Sequence, residues 1–425
     1  MYDSIHWVQT QCIGYRRNAL RLYIQRNDKI FYMIYNFDEI IDRKNTYAIK
    51  LERCNALFGT ENLLPLWVAD MDFRTPDFIL DAIRERCGHP ILGYSMYPKN
   101  FISTTVDWIK EHHQWDLKSQ WVGFLPGIVP GLSFGIQTYT EIGDEVIVQP
   151  PVYYPFLEVV KKNKRSLVFN QLKEVDGKYE MDFEDLESKI TDKTKLFILC
   201  NPHNPGGRVW DAATLKQLAE ICAKHKITVI SDEIHADMVH EGHRHIPFAM
   251  VSETAANISV TFMAPSKTFN MPALITANYI IPNAELRLAF SQFLEKNDLT
   301  GGNVFAYSAT MAAYEKGEAW RKEMLTYVQG NINYLVEYLK ANLPQVKPMV
   351  PEASFLVWLD CEDLGLADTD SLHTFFAMKA GLGLNKGTIF GPGGEQHLRI
   401  NVACSRTILE KALEQLKDAV NGIDN

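Results

Sequence analysis

Four short segments of this 425-residue chain carry residue types that could do chemistry together, and each follows a run of apolar, β-favouring residues. After Glu145–Gln149 comes Pro150-Pro151-Val152-Tyr153-Tyr154, which sets aromatic rings at a strand end. After Lys195–Cys200 comes Asn201-Pro202-His203-Asn204-Pro205-Gly206-Gly207, a stiff turn carrying amide side chains. Ile227–Ser231 leads into Asp232-Glu233-Ile234-His235, and Ile258–Met263 leads into Ala264-Pro265-Ser266-Lys267. Ligands of open parallel sheets bind just beyond the carboxyl ends of the strands. An aromatic ring, an amide, an acid and a lysine are therefore expected around one crevice.

That set matches what a pyridoxal ring requires. The lysine supplies an amine for a Schiff base, and a carboxylate keeps a proton on the pyridine nitrogen so that the ring can accept electrons. An asparagine can donate to the phenolate oxygen, and a flat aromatic side chain can stack on the ring face. Taken singly, each residue has a plainer reading: Lys267 as a surface lysine, Asp232 as a helix N-cap, Tyr153 as core packing. Their order and spacing together outweigh those readings. A phosphate needs backbone N–H groups at a helix start, and Pro126-Gly127-Ile128-Val129-Pro130-Gly131, ahead of the apolar segment Leu132–Tyr139, offers one. His240, His243 and His245 have the right type for metal ligands, but no carboxylate accompanies them at a convincing spacing, and they read as residues of a polar loop.

The elements that must position these residues follow from the hydrophobic pattern. From about Phe101 to Ile281, short β-rich runs alternate with amphipathic stretches such as Ala213–His225, where Leu215, Leu218, Ala219 and Cys222 keep a three-to-four spacing. This is the pattern of a parallel sheet covered by helices. After Gly301 a long helical stretch from Val304 to about Leu343, a strand at Ser354–Asp360 and a terminal helix from Thr407 predict a second, smaller α/β domain. No repeat or flexible Gly/Ser linker separates the two parts.

With 46% apolar and 22% charged residues the chain has the composition of a soluble globular protein. A formal charge of -9 argues against a general nucleic-acid surface and leaves a small molecule as the expected partner. The seven cysteines form no C-x-x-C pair and suggest neither a disulfide framework nor a zinc site, so a reducing, cytoplasmic setting is expected. No apolar run approaches the roughly 18–20 residues that cross a bilayer, and no secretory signal pattern is present. Met1 to about Tyr32 mixes Trp, Tyr, Ile and Arg without a clean helical or strand period. It reads either as an ordered extension or as the product of an upstream start chosen in place of Met33.

Several stretches together resemble a known family. They are Leu64-Pro65-Leu66-Trp67-Val68-Ala69-Asp70-Met71-Asp72-Phe73, Gly93-Tyr94, the segment from Asn201 to Trp210, Ser231-Asp232-Glu233-Ile234-His235, and Ser266-Lys267-Thr268-Phe269-Asn270. From Met33 to the end, the chain resembles fold type I pyridoxal-phosphate enzymes of the class I/II aminotransferase superfamily, and within it the cystathionine β-lyases of the MalY/PatB type. The resemblance implies the aspartate aminotransferase-like α/β fold: a large domain on a central, mostly parallel seven-stranded sheet, and a smaller C-terminal α/β domain. The expected boundaries are 1–33 for an N-terminal extension, 34–75 for a segment packing with the small domain, 76–315 for the large domain and 316–425 for the small one. Met33 is favoured as the start, since Tyr35-Asn36-Phe37-Asp38 is similar to the family's own N-terminal segment.

Carried over residue by residue, the resemblance makes Lys267 the Schiff-base lysine, Asp232 the pyridinium partner, Asn204 the donor to the phenolate oxygen and Tyr153 the stacking ring. Ile128 and Val129 would bind phosphate by their amides, with Ser266 as a hydroxyl donor. Arg399 would grip the substrate α-carboxylate, with its bidentate fork suited to the task. Trp67 and Asp70 would shape the substrate pocket. Tyr94 would reach the site from a second subunit and serve in catalysis, which implies a homodimer with shared sites. Two positions depart from the wider aminotransferase pattern. His235 stands where a tyrosine is usual, and Ile275 replaces an arginine eight residues after the lysine. The implied activity is β-elimination from cystathionine or another cysteine S-conjugate to thiol, pyruvate and ammonia, with an amino-acid aminotransferase as the rival. A regulatory effector-binding module is disfavoured, because the residues before Met33 carry no helix-turn-helix pattern.

Overall fold

The computed structural model describes residues 21–24 and 30–422. Backbone contacts divide the chain into two units, Met1–Asn36 and Phe37–Asn425. In the first, Arg21–Ile24 and Ile30–Met33 pair as antiparallel strands, with Arg21 opposite Met33 and Ile24 opposite Ile30. The stretch without a clean period in its sequence thus ends in two short strands. Four residues span only two alternations, too few for a period of two to stand out from sequence.

The second unit is built on a seven-stranded sheet. In chain order its strands are β1 (Val122–Leu125), β2 (Glu145–Val148), β3 (Ser166–Phe169), β4 (Thr194–Cys200), β5 (Thr228–Asp232), β6 (Ser259–Met263) and β7 (Ala277–Ile280). They lie in the order β1-β7-β6-β5-β4-β2-β3. The pairs β3/β2, β2/β4, β4/β5 and β5/β6 are parallel, whereas β7 runs antiparallel to both β6 and β1. The mostly parallel seven-stranded sheet expected from the family resemblance is therefore present. Both faces are covered, which is why the central strands read as continuous apolar runs. Successive side chains divide between the faces. Val146, Val148, Ile230 and Phe262 meet Leu132 and Ile136 of the helix Ile128–Tyr139 on one side. Ile147, Phe197, Leu199 and Val229 meet Leu215, Leu218 and Cys222 of the helix Ala212–Lys224 on the other. That second helix starts where Asp211 accepts the Thr214 N–H at 2.9 Å, one residue from the predicted end.

A smaller antiparallel sheet follows: β8 (Lys347–Met349), β9 (Leu356–Asp360), β10 (Asn385–Lys386) and β11 (His397–Asn401), in the order β8-β9-β11-β10. The segment before Trp67 is stitched to this region. Leu64–Pro65 pairs in parallel with Leu382–Gly383, and the Asn401 N–H donates to the Leu66 carbonyl at 2.9 Å. The single helix expected from Val304 to about Leu343 is two, Val304–Lys316 and Glu318–Asn342. The break falls at Gly317, where a Cβ would come within 2.2 Å of the Ala313 carbonyl and 2.3 Å of the Phe269 ring. Among the described residues no helix is long and apolar enough to cross a membrane.

Gly207 ends the Asn201–Gly207 turn and ties it to the C-terminal part. It sits at φ +68°, its carbonyl accepts the N–H groups of Glu352 and Ala353 at 2.9 and 3.1 Å, and a Cβ there would lie 2.7 Å from the Pro351 Cα. Positive φ and a backbone obstruction act together, so Gly207→Ala is predicted to cost about 2–4 kcal/mol. The expected observation is a thermal denaturation midpoint several degrees lower; an unchanged midpoint contradicts the packing described.

Candidate active site

The carboxyl ends of β4, β5 and β6 converge on one cavity of about 240 Å³. Asp232 is the last residue of β5, Asn204 lies in the turn after β4, and Ser266 and Lys267 follow β6 by three and four residues. All four line the cavity, together with Tyr153, His235, and Ile128 and Val129 at the start of the helix Ile128–Tyr139. Parallel strands deliver their ends to one edge, so residues more than a hundred positions apart in sequence become neighbours.

The electrostatics follow from removal from water. Burial pushes the Asp232 carboxyl up to about 7; the charge of Glu233 adds to that rise, while the Ile234 N–H, 3.1 Å from Oδ1, and the Lys267 amine oppose it. Burial lowers Lys267 to about 8, with the positive charge of Arg399 in the same sense and the carboxylates of Asp70 and Asp232 working the other way. Its Nζ donates to the Ala69 carbonyl at 2.5 Å. An acid and an amine with nearly matched proton affinities thus face one cavity, a combination suited to proton transfer near neutrality. Burial also lowers His235, to about 3, with the charges of Lys267 and Arg399 in the same direction, so this imidazole is neutral.

Arg399, on β11, is buried and does not line the cavity itself; it meets the cavity through Asn204, whose Oδ1 accepts from Nη1 at 2.9 Å. Nη2 donates to Asn385 Oδ1 at 2.6 Å and to the Trp67 carbonyl at 3.1 Å, and the guanidinium lies 4.9 Å over the Phe390 ring. Burial lowers this arginine to about 10. Its Nε has no hydrogen-bond partner among the described residues, and neither has His235 Nδ1. Buried donors left open in this way are expected where a ligand completes the set.

Three predicted residues lie elsewhere. Tyr94 is fully exposed, in a stretch where Ile91, Leu92 and Met96 are also exposed, and it does not line the cavity of its own chain. Trp67 offers its carbonyl and not its ring: the indole is buried against Phe58, Cys54 and Ala377, with Nε1 donating to the Lys50 carbonyl at 3.0 Å. Asp70 is tied to Arg43 at 2.6 Å, while the buried Lys50 amine pairs with Asp72 at 2.8 Å and lies 3.7 Å from Asp70. The histidines read as loop residues do lie outside helix and strand, and two of them are buried there: His240 Nε2 lies 2.6 Å from the Ser354 carbonyl and His245 Nε2 2.8 Å from Glu233. Among the described residues no group of side chains could hold a metal ion.

Other contributors were not singled out from sequence. Asn270 receives the Met71 N–H and donates to the carbonyls of Met71 and Phe73, clasping the 67–75 segment to the lysine loop. Asn401 Nδ2 donates to the carbonyls of Val68 and Asp70, both at 2.7 Å. Its place two residues after Arg399 on one strand face was a readable signal; Asn385 gave none. Cys200 also lines the cavity, with the Asn204 N–H pointing to its Sγ at 3.3 Å, and Ile275, noted from sequence for replacing an arginine, lines it at φ +52°.

The donor set fits pyridoxal phosphate: an amine for its aldehyde, an acid for its ring nitrogen, an amide and a ring for its plane, and a helix N-terminus with a serine for its phosphate. The fold and this site define a cofactor-dependent enzyme of amino-acid chemistry. Residues 61–416 match the model of aminotransferase class I and II, and the chain belongs to that family. It is 45% identical over 387 residues to the cystathionine beta-lyase PatB of Bacillus subtilis, covering 91% of this chain and all of that protein. Among solved structures, cystalysin from Treponema denticola, which contains a pyridoxal 5'-phosphate cofactor, is 31% identical with a TM-score of 0.89, covering 92% of this chain and 100% of that one. The PLP-bound C-S lyase from Staphylococcus hominis is 37% identical with a TM-score of 0.84, covering 91% and 98%.

The lowered basicity of Lys267 is directly testable. Only the unprotonated amine attacks an aldehyde, and the protonated fraction falls as pH rises through the pKa. Reductive alkylation of the cofactor-free protein, followed by peptide mass spectrometry, should label Lys267 with a midpoint near pH 8, two or more units below exposed lysines. A midpoint shared with the surface lysines contradicts the assigned environment.

Proposed function

We propose that this protein is a pyridoxal-phosphate-dependent carbon–sulfur lyase that releases thiol, pyruvate and ammonia from cystathionine or another cysteine S-conjugate. The observation that carries the reading is the shared cavity of Lys267 and Asp232, in a chain 45% identical to a cystathionine beta-lyase over nearly its whole length. Pyridoxal phosphate, when bound, supplies an electron-accepting ring that acidifies the substrate α-C–H.

The protein's residues supply the rest. Asp232 holds a proton at the ring nitrogen, and its raised proton affinity suits it to that hydrogen bond. Tyr153 packs on the ring, Asn204 donates to its phenolate oxygen, and the amides of Ile128 and Val129 with the Ser266 hydroxyl hold the phosphate. Arg399, already oriented by Asn204, Asn385 and the Trp67 carbonyl, presents its remaining donors to the substrate carboxylate. Lys267 takes the α-proton and returns a proton to the departing sulfur. The Ala69 carbonyl keeps its amine at one place, and the charge of Asp70 supports the protonated state between the two transfers.

The exposed stretch around Tyr94 suits burial against a second copy of the chain, which would bring that tyrosine to the neighbouring site. A reducing compartment such as the cytoplasm suits the six described cysteines, all unbridged.

Incubating the loaded enzyme with cystathionine and no keto acid separates the lyase from the aminotransferase. Sustained release of thiol and pyruvate is expected; a single half-turnover that stops until a keto acid is added would establish the transaminase instead. Lys267→Ala is expected to abolish turnover and the visible absorption of the loaded protein. Removing the guanidinium in Arg399→Ala leaves the substrate carboxylate without its charged partner, so kcat/KM should fall about 100-fold or more, chiefly through KM. An R399A enzyme with unchanged KM would dismiss the assignment.

A further inference from the structure

Glu233, the residue after Asp232, has no contact with the cavity, yet its side chain is fully buried (0%) and surrounded by donors. Ser231 Oγ at 2.8 Å and the Phe248 N–H at 2.9 Å donate to Oε1, and His245 Nε2 lies 2.8 Å from Oε2. The Glu233 N–H donates to the Phe262 carbonyl on β6 at 2.9 Å, and the Asp232 carbonyl accepts from Asn201 at 3.0 Å. The strand end that carries Asp232 is thus fixed from both sides. Placing a carboxylate so far from water is costly, and three directed donors are what make it tolerable.

The groups packed around it supply directed donors. Burial lowers the proton affinity of His245, against the pull of Glu233, so the imidazole acts as a neutral donor. Beyond it, His113 stands edge-on at 5.4 Å and pairs with Asp237 at 2.9 Å, and Arg321 donates to the Asp237 carbonyl. His113 is thus taken up by Asp237 rather than by Glu233. On the cavity side, Asp232 faces Lys267.

We propose that Glu233 is a positioning residue for Asp232: its carboxylate, held by Ser231, Phe248 and His245, keeps the neighbouring acid basic enough to hold a proton at the cofactor's ring nitrogen. The proposal rests on the reading of Asp232 as the partner of that nitrogen. A negative charge one residue away, within the same desolvated region, strengthens the hold of every proton near it. The rise in the Asp232 proton affinity, owed first to burial, includes a contribution of that sign from Glu233.

The test is a pH titration of the visible absorption of the pyridoxal-phosphate-loaded enzyme, with melting temperature recorded beside it. Glu233→Gln removes the charge but can keep the geometry, because its amide oxygen accepts from Ser231 and Phe248 while its NH2 donates to a His245 protonated on Nδ1, an atom that has no partner among the described residues. The expected result is a midpoint lowered by about half a pH unit or more. Glu233→Asp keeps the charge and should keep the wild-type midpoint. His245→Leu removes the donor to Oε2 and, by loosening the hold on that side chain, should shift the midpoint in the same direction as E233Q even if E233Q itself does not fold. An E233Q or H245L midpoint equal to wild type, or an E233D shift as large as that of E233Q, overturns the proposal. A wild-type protein that takes up no pyridoxal phosphate instead overturns the reading on which it rests.

Discussion

The structure turns on the desolvation of one acid and one amine at the edge of a parallel sheet. Asp232 and Lys267 would each prefer bulk water, and each is held out of it by strand ends that cannot move without opening the core. The result is an acid raised to about 7 opposite an amine lowered to about 8. Most of what surrounds them serves to keep that unfavourable placement in register. The apolar layers on both faces make the strands rigid, and Glu233 with its three donors and the Ala69 carbonyl address the two groups individually.

The segment from Trp67 to Phe73 joins the two sheets at this edge. Its carbonyls are taken by Arg399, Asn401, Lys267 and Asn270, and its acids by Arg43 and Lys50. A loop bound at so many backbone positions behaves as part of the scaffold, and sites on rigid elements hold their geometry better than sites on free loops. Arg399 shows the consequence. Asn204, Asn385 and the Trp67 carbonyl fix its plane before any substrate arrives.

Much of this was legible in the chain. The apolar runs that became β2, β4, β5 and β6 stand out because strands buried on both faces carry no polar alternation to blur them, and predicted and observed ends differ by one residue. The motifs that follow them located Tyr153, Asn204, Asp232 and Lys267, since chemistry beyond a strand end needs particular residue types at a short offset. Less was legible where a residue's environment is made by distant chain. Gly317 was passed over because the reason for a glycine there is the Phe269 ring, nearly fifty residues away in sequence. The polar stretch after Val239 gives no sign that Glu233 and the Ser354 carbonyl wait beneath its histidines.

Sequence alone determined which elements form and which functional groups stand at their ends, because hydrophobic period and turn chemistry are local properties of the chain. Only the tertiary structure decided how those groups behave. Proton affinity depends on lost water and on charges brought near by folding, so a neutral His235 and a weakened Lys267 base exist only once the strands are side by side. The same holds for Trp67, present in a motif that pointed to the substrate pocket, whose ring the fold turns into a core and whose carbonyl it gives to Arg399.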